Sequence, residues 1–413
     1  MEKYLAIKAF PDWPHCGERS KYRQLRLIFS ISVTLALGSC NFGGNNVLSD
    51  LSSAPVPKVQ SEPLSTPPPT GEPTGVEPVR VAVILPLTQN GSQSAVGQSL
   101  RNAAQLAVEE SGSNAISLVI GDDHSTPEGA AQVATNAIGE GAEIIVGPLF
   151  AASVREVGRV SKAANIPVIA FSTDANVASP GVYLLSFLVE SYVDRILDFA
   201  VGRGLKSFAI LAPESDYADV ATAEFQKEAT KLNARVVTVA RYATGEPVGS
   251  VQEIEGVANE IDALFIPEQS DGVGAVAAAL AATGIKVQLL GTGVWNDLRV
   301  LQTPALQGAW FAAPENAGFV AFAQRYKGKF NSDPTRLATL GYDAVSLVAA
   351  LAKTRRTQRF SESALTSPSG FNGADGVFRF RSDGRNERGL AVMQIENGSA
   401  TVVSPAPHSF AGG

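Results

Sequence analysis

Between residues 79 and 405 two apolar patterns take turns. The first is a short run of consecutive apolar, largely β-branched residues, with Val81-Ala82-Val83-Ile84-Leu85 as the clearest case. Such a run is too short for a helix and does not alternate in and out, so it predicts a strand buried on both faces of a parallel sheet. The second pattern has helical spacing and follows each run after a polar loop. The first strand leads through Pro86-Leu87-Thr88 and a Gly/Ser/Gln segment into a helix over about 97–110. A strand at 116–120, a helix from Pro127 to about 138 and a strand at 143–146 come next. The proline fits a first helical turn, where its missing N–H leaves nothing unsatisfied. The loop 147–153, a helix over 154–164, a strand at 167–170 and the loop Phe171-Ser172-Thr173-Asp174 close the first series. This alternation predicts a parallel sheet with helices on both faces and right-handed crossovers.

An apolar run at 182–187 and a helix over about 191–202 lead to a second series. Its strands are predicted at 208–211, 235–242, 263–266 and 288–290, with helices over about 217–232, 249–258 and 272–282. A strand at 308–312 and helices over 317–330 and 335–352 should return the chain to the first lobe. Beyond Gly370 the pattern changes to period two with turn residues: 376–381, Ser382-Asp383-Gly384-Arg385, 390–395, Asn397-Gly398 and 401–403. Those are antiparallel hairpins. The fold class is therefore α/β, with two doubly wound parallel-sheet lobes.

The chain ahead of residue 79 follows neither pattern. Lys21, Arg23 and Arg26 precede an apolar stretch over 27–37 that ends in Leu37-Gly38-Ser39-Cys40. Charge, a short apolar core and small residues define an export signal, and the stretch is far below the ~20 residues of a spanning helix. Residues 1–39 are thus expected to be removed. From 40 to 78 the composition turns to Pro, Ser, Thr and Gly, with Pro67-Pro68-Pro69 in the middle, which predicts an extended tether without a core. Residues 406–413 read as a tail.

Charge narrows the partners. The net charge is −7, and the leader carries six of the 33 Lys/Arg but only three of the 40 Asp/Glu, so the remainder stands at −10. So acidic a body argues against phosphate-backbone binding, and no nucleic acid partner is expected. Of the two cysteines, Cys16 falls in the leader and Cys40 at its end, which argues against a thiol nucleophile or a zinc–cysteine site.

Catalytic constellations are scarce. His15 lies in the leader and His408 in the tail, leaving His124 for any folded site, and no Gly-x-Ser-x-Gly elbow occurs. Asp122-Asp123-His124 reads as a solvated turn after a strand, because adjacent side chains rarely converge on one metal ion. The glycine-containing segment 91–97 lacks the Lys-Ser/Thr ending of a phosphate loop. Neither an enzyme, a cofactor nor a metal is expected. Binding is better provided for. Thr88, Ser153, Ser172 and Thr173 put hydroxyls on loops at strand carboxyl ends, where open α/β sheets bind ligands. Together with amides at helix amino termini they suit a carboxylate, and each equally suits an ordinary helix cap.

Several motifs, in order, resemble type I periplasmic binding proteins of the leucine/isoleucine/valine-binding kind. They are Val83-Ile84-Leu85-Pro86-Leu87-Thr88 with Gly97 and Ala107, Ile145-Val146-Gly147-Pro148, Ile166-Pro167-Val168-Ile169, Gly341-Tyr342-Asp343-Ala344, and Gly373-Ala374-Asp375-Gly376 with Phe380 and Asp383-Gly384. The resemblance spans 79–405. It implies two lobes hinged by three crossovers, lobe 1 at about 79–187 and 313–370 and lobe 2 at about 188–312 and 371–405. It further implies that Ser153, Ser172 and Thr173 hold the carboxylate and ammonium of an amino acid. Tyr217 becomes the cleft aromatic, Glu268 and Gln269 fall in the region of an ammonium-binding acid, and Trp295 caps the pocket. The implied partners are a small amino-acid-like ligand and an ABC permease. Leu37-Gly38-Ser39-Cys40 resembles the bacterial lipobox, which implies lipidation of Cys40 and a periplasmic protein anchored to a membrane. Gly147-Pro148-Leu149 with this tether also resembles lipoproteins that activate penicillin-binding proteins, the same fold with a peptidoglycan synthase as partner. Both readings stay open at this point.

Overall fold

The computed structural model describes residues 77–112, 114–355 and 357–410. The leader, Cys40 and the tether lie outside the described residues. The first series runs β1 (Val79–Leu85), β2 (Thr88–Gln89), β3 (Ser92–Gln93), α1 (Ala95–Glu110), β4 (Ile116–Asp122), α2 (Pro127–Gly139), β5 (Ile144–Val146), α3 (Ala151–Ala164), β6 (Val168–Ala170) and β7 (Val182–Leu184). The second runs α4 (Val189–Gly202), β8 (Ser207–Pro213), α5 (Asp216–Lys231), β9 (Arg235–Tyr242), α6 (Val248–Val257), β10 (Ala263–Phe265), α7 (Val273–Thr283), β11 (Gln288–Gly291), α8 (Leu298–Leu301) and β12 (Trp310–Ala313). There follow α9 (Asn316–Phe330), α10 (Ala338–Thr354), α11 (Glu362–Leu365), β13 (Phe371–Gly373), β14 (Gly376–Phe380), β15 (Asn386–Arg388), β16 (Ala391–Glu396) and β17 (Ser399–Ser404).

The consecutive apolar residues of β1 explain its place. Val81, Val83 and Leu85 enter one core with α1 and α10, whereas Ala82 and Ile84 enter a second core with α2 and α3. All five are at most 1% exposed, as a strand covered by helices on both faces requires. β8 repeats the arrangement in the second lobe, with Ala209 and Leu211 on one side and Phe208, Ile210 and Ala212 on the other. Local signals set the helix starts. Ser94 caps α1 by accepting from the Gly97 N–H at 3.1 Å, Thr126 caps α2, and Pro127 occupies its first turn.

The first sheet has the order β4-β1-β5-β6-β7 and is parallel throughout. The second has the order β17-β16-β12-β11-β10-β8-β9. Its part from β12 to β9 is parallel and repeats the first topology, and the β16–β17 hairpin adds an antiparallel edge. Strand order therefore reverses between β1 and β5 in one lobe and between β8 and β10 in the other. Those are the switch points at whose carboxyl ends doubly wound sheets open a crevice. Gly147 is required at the first of them: its φ is +88°, and a Cβ there would stand 2.0 Å from the Ile84 carbonyl oxygen.

Three crossovers join the lobes, at 185–188, 314–315 and 389–390. The lobe limits inferred from the resemblance need one correction. Residues 371–388 do not join lobe 2, but form a separate sheet, β13-β14-β15, that places Phe378 and Phe380 in the first lobe's core. Only β16 and β17 extend the second sheet. Period two marked β14, β16 and β17 but neither β13 nor β15, and it carried no information on which sheet a strand pairs with. The β2–β3 hairpin inside the first cleft loop is likewise absent from the sequence expectation, being two residues per strand.

Candidate functional site

Both switch points collect residues singled out from the sequence. In lobe 1 the loop after β1 carries Thr88 and the loop after β5 leads into α3. Phe150 takes the N-cap position of α3 without a side-chain hydrogen bond and is 37% exposed, leaving the first amides of this helix uncapped by a side chain. Ser153 follows in the first turn. It is fully buried, and its Oγ has no hydrogen-bond partner among the described residues. One strand further, Ser172 is buried and accepts from the Asp174 N–H at 3.1 Å, while Thr173 is exposed. Asp174 is itself tied to α3, accepting from Arg155 Nη2 at 2.9 Å.

Thr88 is engaged. Its hydroxyl donates to Asp122 Oδ2 at 2.6 Å and lies 2.9 Å from His124 Nδ1. Asp122 Oδ1 accepts from the backbone N–H of Leu87, Thr88 and His124 at 2.9–3.1 Å, so this carboxylate at the end of β4 organises the whole loop. Burial would raise the Asp122 pKa, yet these hydrogen bonds together hold it below the ordinary carboxylate value. Next to it Asp123 is fully buried, and burial pushes its carboxyl up to about 6. Asp122-Asp123-His124 is thus a loop-fixing turn, more closely tied to Thr88 than the sequence suggested.

In lobe 2, Ser215 caps α5, and Tyr217 in its first turn shares a 2.6 Å hydrogen bond with Thr292 Oγ1 after β11. Burial raises the Tyr217 phenol above its ordinary pKa. Glu268 after β10 is 6% exposed: Tyr242 Oη donates to its Oε2 at 2.6 Å and the Gln269 N–H to its Oε1 at 2.8 Å. Burial raises this carboxyl's pKa, and the two hydrogen bonds oppose the rise. Gln269 is half-buried on the same loop. Trp295 departs from expectation. It is fully buried in the second lobe's core, its Nε1 donates to the Glu268 carbonyl at 3.2 Å, and its ring lies so close to Gly291 that a Cβ there would stand 2.1 Å from it. A tryptophan near a predicted cleft loop is equally compatible with a core, and the close approach to Gly291 decides for the core.

The structure adds a cluster at the hinge that the sequence did not single out. Phe187, in the first crossover, lies between two guanidinium groups, with Arg336 Cζ 4.9 Å and Arg388 Cζ 4.6 Å from its ring centroid. Arg336 forms a bidentate pair with Asp375, both contacts 2.6 Å. Arg388 Nε and Asn386 Nδ2 donate to the Ser186 carbonyl at 2.9 Å each, and Ser186 Oγ donates to the Phe171 carbonyl at 3.0 Å, directly before Ser172. Both terminal nitrogens of Arg388 are buried without a partner among the described residues, as is Oδ2 of Asp343. Burial is the main cause of the Asp343 carboxyl standing at about 7, although the Arg388 charge pulls it down. Tyr192, at the start of α4, sits within electrostatic range of Arg336, Arg388 and Asp375, and burial raises its phenol to about 12. Its ring also packs on Gly293, beside Thr292. The only sequence signal for this cluster was Asp343 and Asp375 standing inside two of the resemblance motifs.

Elsewhere, a groove of about 500 Å³ between α2 and α3, lined by Gln132, Arg155 and Arg159 among others, holds none of the candidate residues. Among the described residues no helix is long and apolar enough to cross a membrane.

The fold is matched among known proteins. The family model described as "Periplasmic binding protein" matches residues 78–400. A branched-chain amino acid ABC transporter periplasmic ligand-binding protein from Burkholderia xenovorans superposes with a TM-score of 0.64 at 17% identity, covering 80% of this chain and 96% of that one. A branched-chain amino acid transporter substrate-binding protein from Streptococcus pneumoniae, in complex with isoleucine, gives 0.55 at 21%, covering 79% and 100%. An ABC transporter solute-binding protein from R. palustris, in complex with benzoate, gives 0.55 at 20%, covering 80% and 97%. No curated protein sequence matches the chain.

Proposed function

Since the chain belongs to the periplasmic binding protein family, we propose that it is an extracytoplasmic solute-binding lipoprotein: it closes on an amino-acid-sized carboxylate ligand and presents it to an ABC permease. The observation that carries this reading is the coincidence, at the lobe 1 switch point, of an α3 amino terminus without a side-chain cap with the enclosed hydroxyl of Ser153, which has no partner among the described residues. Helix amides there carry partial positive charge and suit a carboxylate. Thr173 on the next loop and Tyr217 and Gln269 across the cleft supply polar contacts that fix its orientation. Closure follows from contacts that both lobes make with the solute only when closed. In the same reading Cys40 carries the lipid, the segment 40–78 is the tether, and the protein works in the periplasm on a bacterial membrane.

The test is a thermal-shift screen of the full chain against small carboxylates and amino acids. A solute at about 100 times its dissociation constant stabilises the fold by ~2.7 kcal/mol, which for a domain of this size raises the midpoint by about 4 °C. Ser153→Ala combined with Thr173→Ala should weaken the best solute at least tenfold, and unchanged affinity would remove the carboxylate from this loop. One observation favours the second reading, an activator of a peptidoglycan synthase that takes no small ligand. Thr88, Tyr217 and Glu268 are all hydrogen-bonded within the protein. That reading requires no shift with any solute and direct binding of the purified synthase.

A further inference from the structure

The three crossovers are not alone in spanning the two lobes. β17 ends at Ser404 on the second sheet, and the chain then runs along two of the crossovers to the first lobe. Each step is held. Arg195 on α4 donates to Ser404 Oγ at 2.6 Å and to the Leu390 carbonyl at 2.8 Å, fixing the start of the segment beside the third crossover. The Ala406 N–H donates at 3.0 Å to Glu315 Oε1 in the second crossover. Glu315 stands at the N-cap position of α9 without a side-chain cap bond, so its carboxylate serves this segment instead of the helix. Pro407 lies against Gly389 in the third crossover, where a Cβ would stand 3.1 Å from the Pro407 carbonyl oxygen.

The far end is seated on lobe 1. Phe410 is half-buried beside Gly370, where a Cβ would come within 2.7 Å of its ring, and it faces Arg379, whose Cζ lies 4.6 Å from the ring centroid. Arg379 is itself fixed, donating to Glu387 Oε2 at 2.6 Å and to the Pro368 carbonyl at 3.2 Å, so the ring rests on a rigid platform of the β13-β14-β15 sheet. From Ser404 to Phe410 an extended chain reaches up to about 20 Å, enough to bridge the hinge. Pro405 and Pro407 favour that form, because each biases the residue before it to extended backbone and so lowers the entropy lost on docking. The segment lies beyond the region matched to the family, 78–400.

We propose that residues 405–410 form a detachable strap that holds the lobes at the angle of this structure, and that Phe410 must leave its seat before the hinge turns. Rotation about the crossovers moves the Phe410 seat relative to Ser404, because the two ends sit in different lobes. A segment already extended by its prolines has little slack to absorb that displacement. Its lobe 2 end is continuous with β17, whereas its lobe 1 end rests on the Phe410 seat, so release occurs there, as a local opening that costs far less than unfolding a lobe. Any solute or partner that changes the lobe angle works against this seat, and the strap thereby sets the population of other angles.

The experiment measures lobe-to-lobe distance by double electron–electron resonance in the full chain carrying Cys16→Ala and Cys40→Ala. Spin labels go on two exposed positions, Lys162→Cys on α3 and Gln226→Cys on α5. A control pair within lobe 1 joins Lys162→Cys to Lys353→Cys on α10. With the strap intact, a single narrow lobe-to-lobe distance is expected. Phe410→Ala, and separately a chain ending at Pro405, should each add a second, separated lobe-to-lobe population while the control distance stays unchanged. An unchanged lobe-to-lobe distribution in both variants overturns the proposal, and so does a second population already present with the strap intact. A control distance that broadens as much as the lobe-to-lobe distance also overturns it, because Phe410 would then be a packing residue of lobe 1 alone.

Discussion

Asp343 offers the sharpest physical test of the hinge. Its side chain is buried, Oδ1 accepts from the Ala374 N–H at 2.7 Å, and Oδ2 faces the Gly373 backbone without a hydrogen-bond partner among the described residues. The charged groups around it are Arg388, Arg336 and Asp375. Burial raises its pKa from 3.8 to about 7, so between those values the folded state holds a proton that the unfolded state has lost. Stability must therefore fall as pH rises through this window, by about 1.4 kcal/mol per pH unit where the two states differ by a full proton. About three such units bound the total at about 4 kcal/mol, fully present below pH ~4 and lost above pH ~7. Asp343→Asn keeps the acceptor for Ala374 and removes the titration. The variant should match the wild type near pH 4 and exceed it by a few kcal/mol at pH 8. Urea unfolding of both proteins at pH 4, 6 and 8 measures this, and the difference isolates Asp343 from Asp123 and Asp194, which burial raises to about 6 and about 7. A variant less stable than wild type at pH 8, by a margin that grows with pH, would refute the reasoning. Asp343 would then be ionised and paired with Arg388, and its removal would leave a buried charge alone.

Three further outcomes are expected. Gly147→Ala should lower stability by at least about 2 kcal/mol in denaturant unfolding, because a left-handed φ is added to a clash with the Ile84 carbonyl. Trp295→Ala should destabilise by about 3–5 kcal/mol, as a large core truncation does, whereas a pocket cap would change the unfolding midpoint little. Cys40→Ala should release the protein from the membrane fraction of cells, and its retention there would exclude the lipid anchor.

The alternation of apolar runs and helical spacing was enough to place the strands and helices from β1 to β12 apart from the β2–β3 hairpin and the short α8, since a strand covered on both faces can tolerate few polar residues along its length. Turn residues such as Asn397-Gly398 likewise marked the closing hairpins, because a positive φ is open to so few residue types. The candidate loops were legible too, through their position after parallel strands. What those loops do was not. Whether Thr88 offers its hydroxyl or surrenders it to Asp122 depends on a partner 34 residues away, and whether Trp295 caps a pocket or fills a core depends on how close Gly291 lets it come. The same holds for β14, whose period-two pattern fits either lobe, and for the Arg336–Phe187–Arg388 cluster, assembled from three separate segments. Sequence by itself determined which segments are buried and on how many faces, because that is a property of consecutive residues. Only the tertiary structure decided which polar groups are satisfied within the protein and which are left for a ligand, because hydrogen-bond satisfaction belongs to pairs of atoms brought together by the fold.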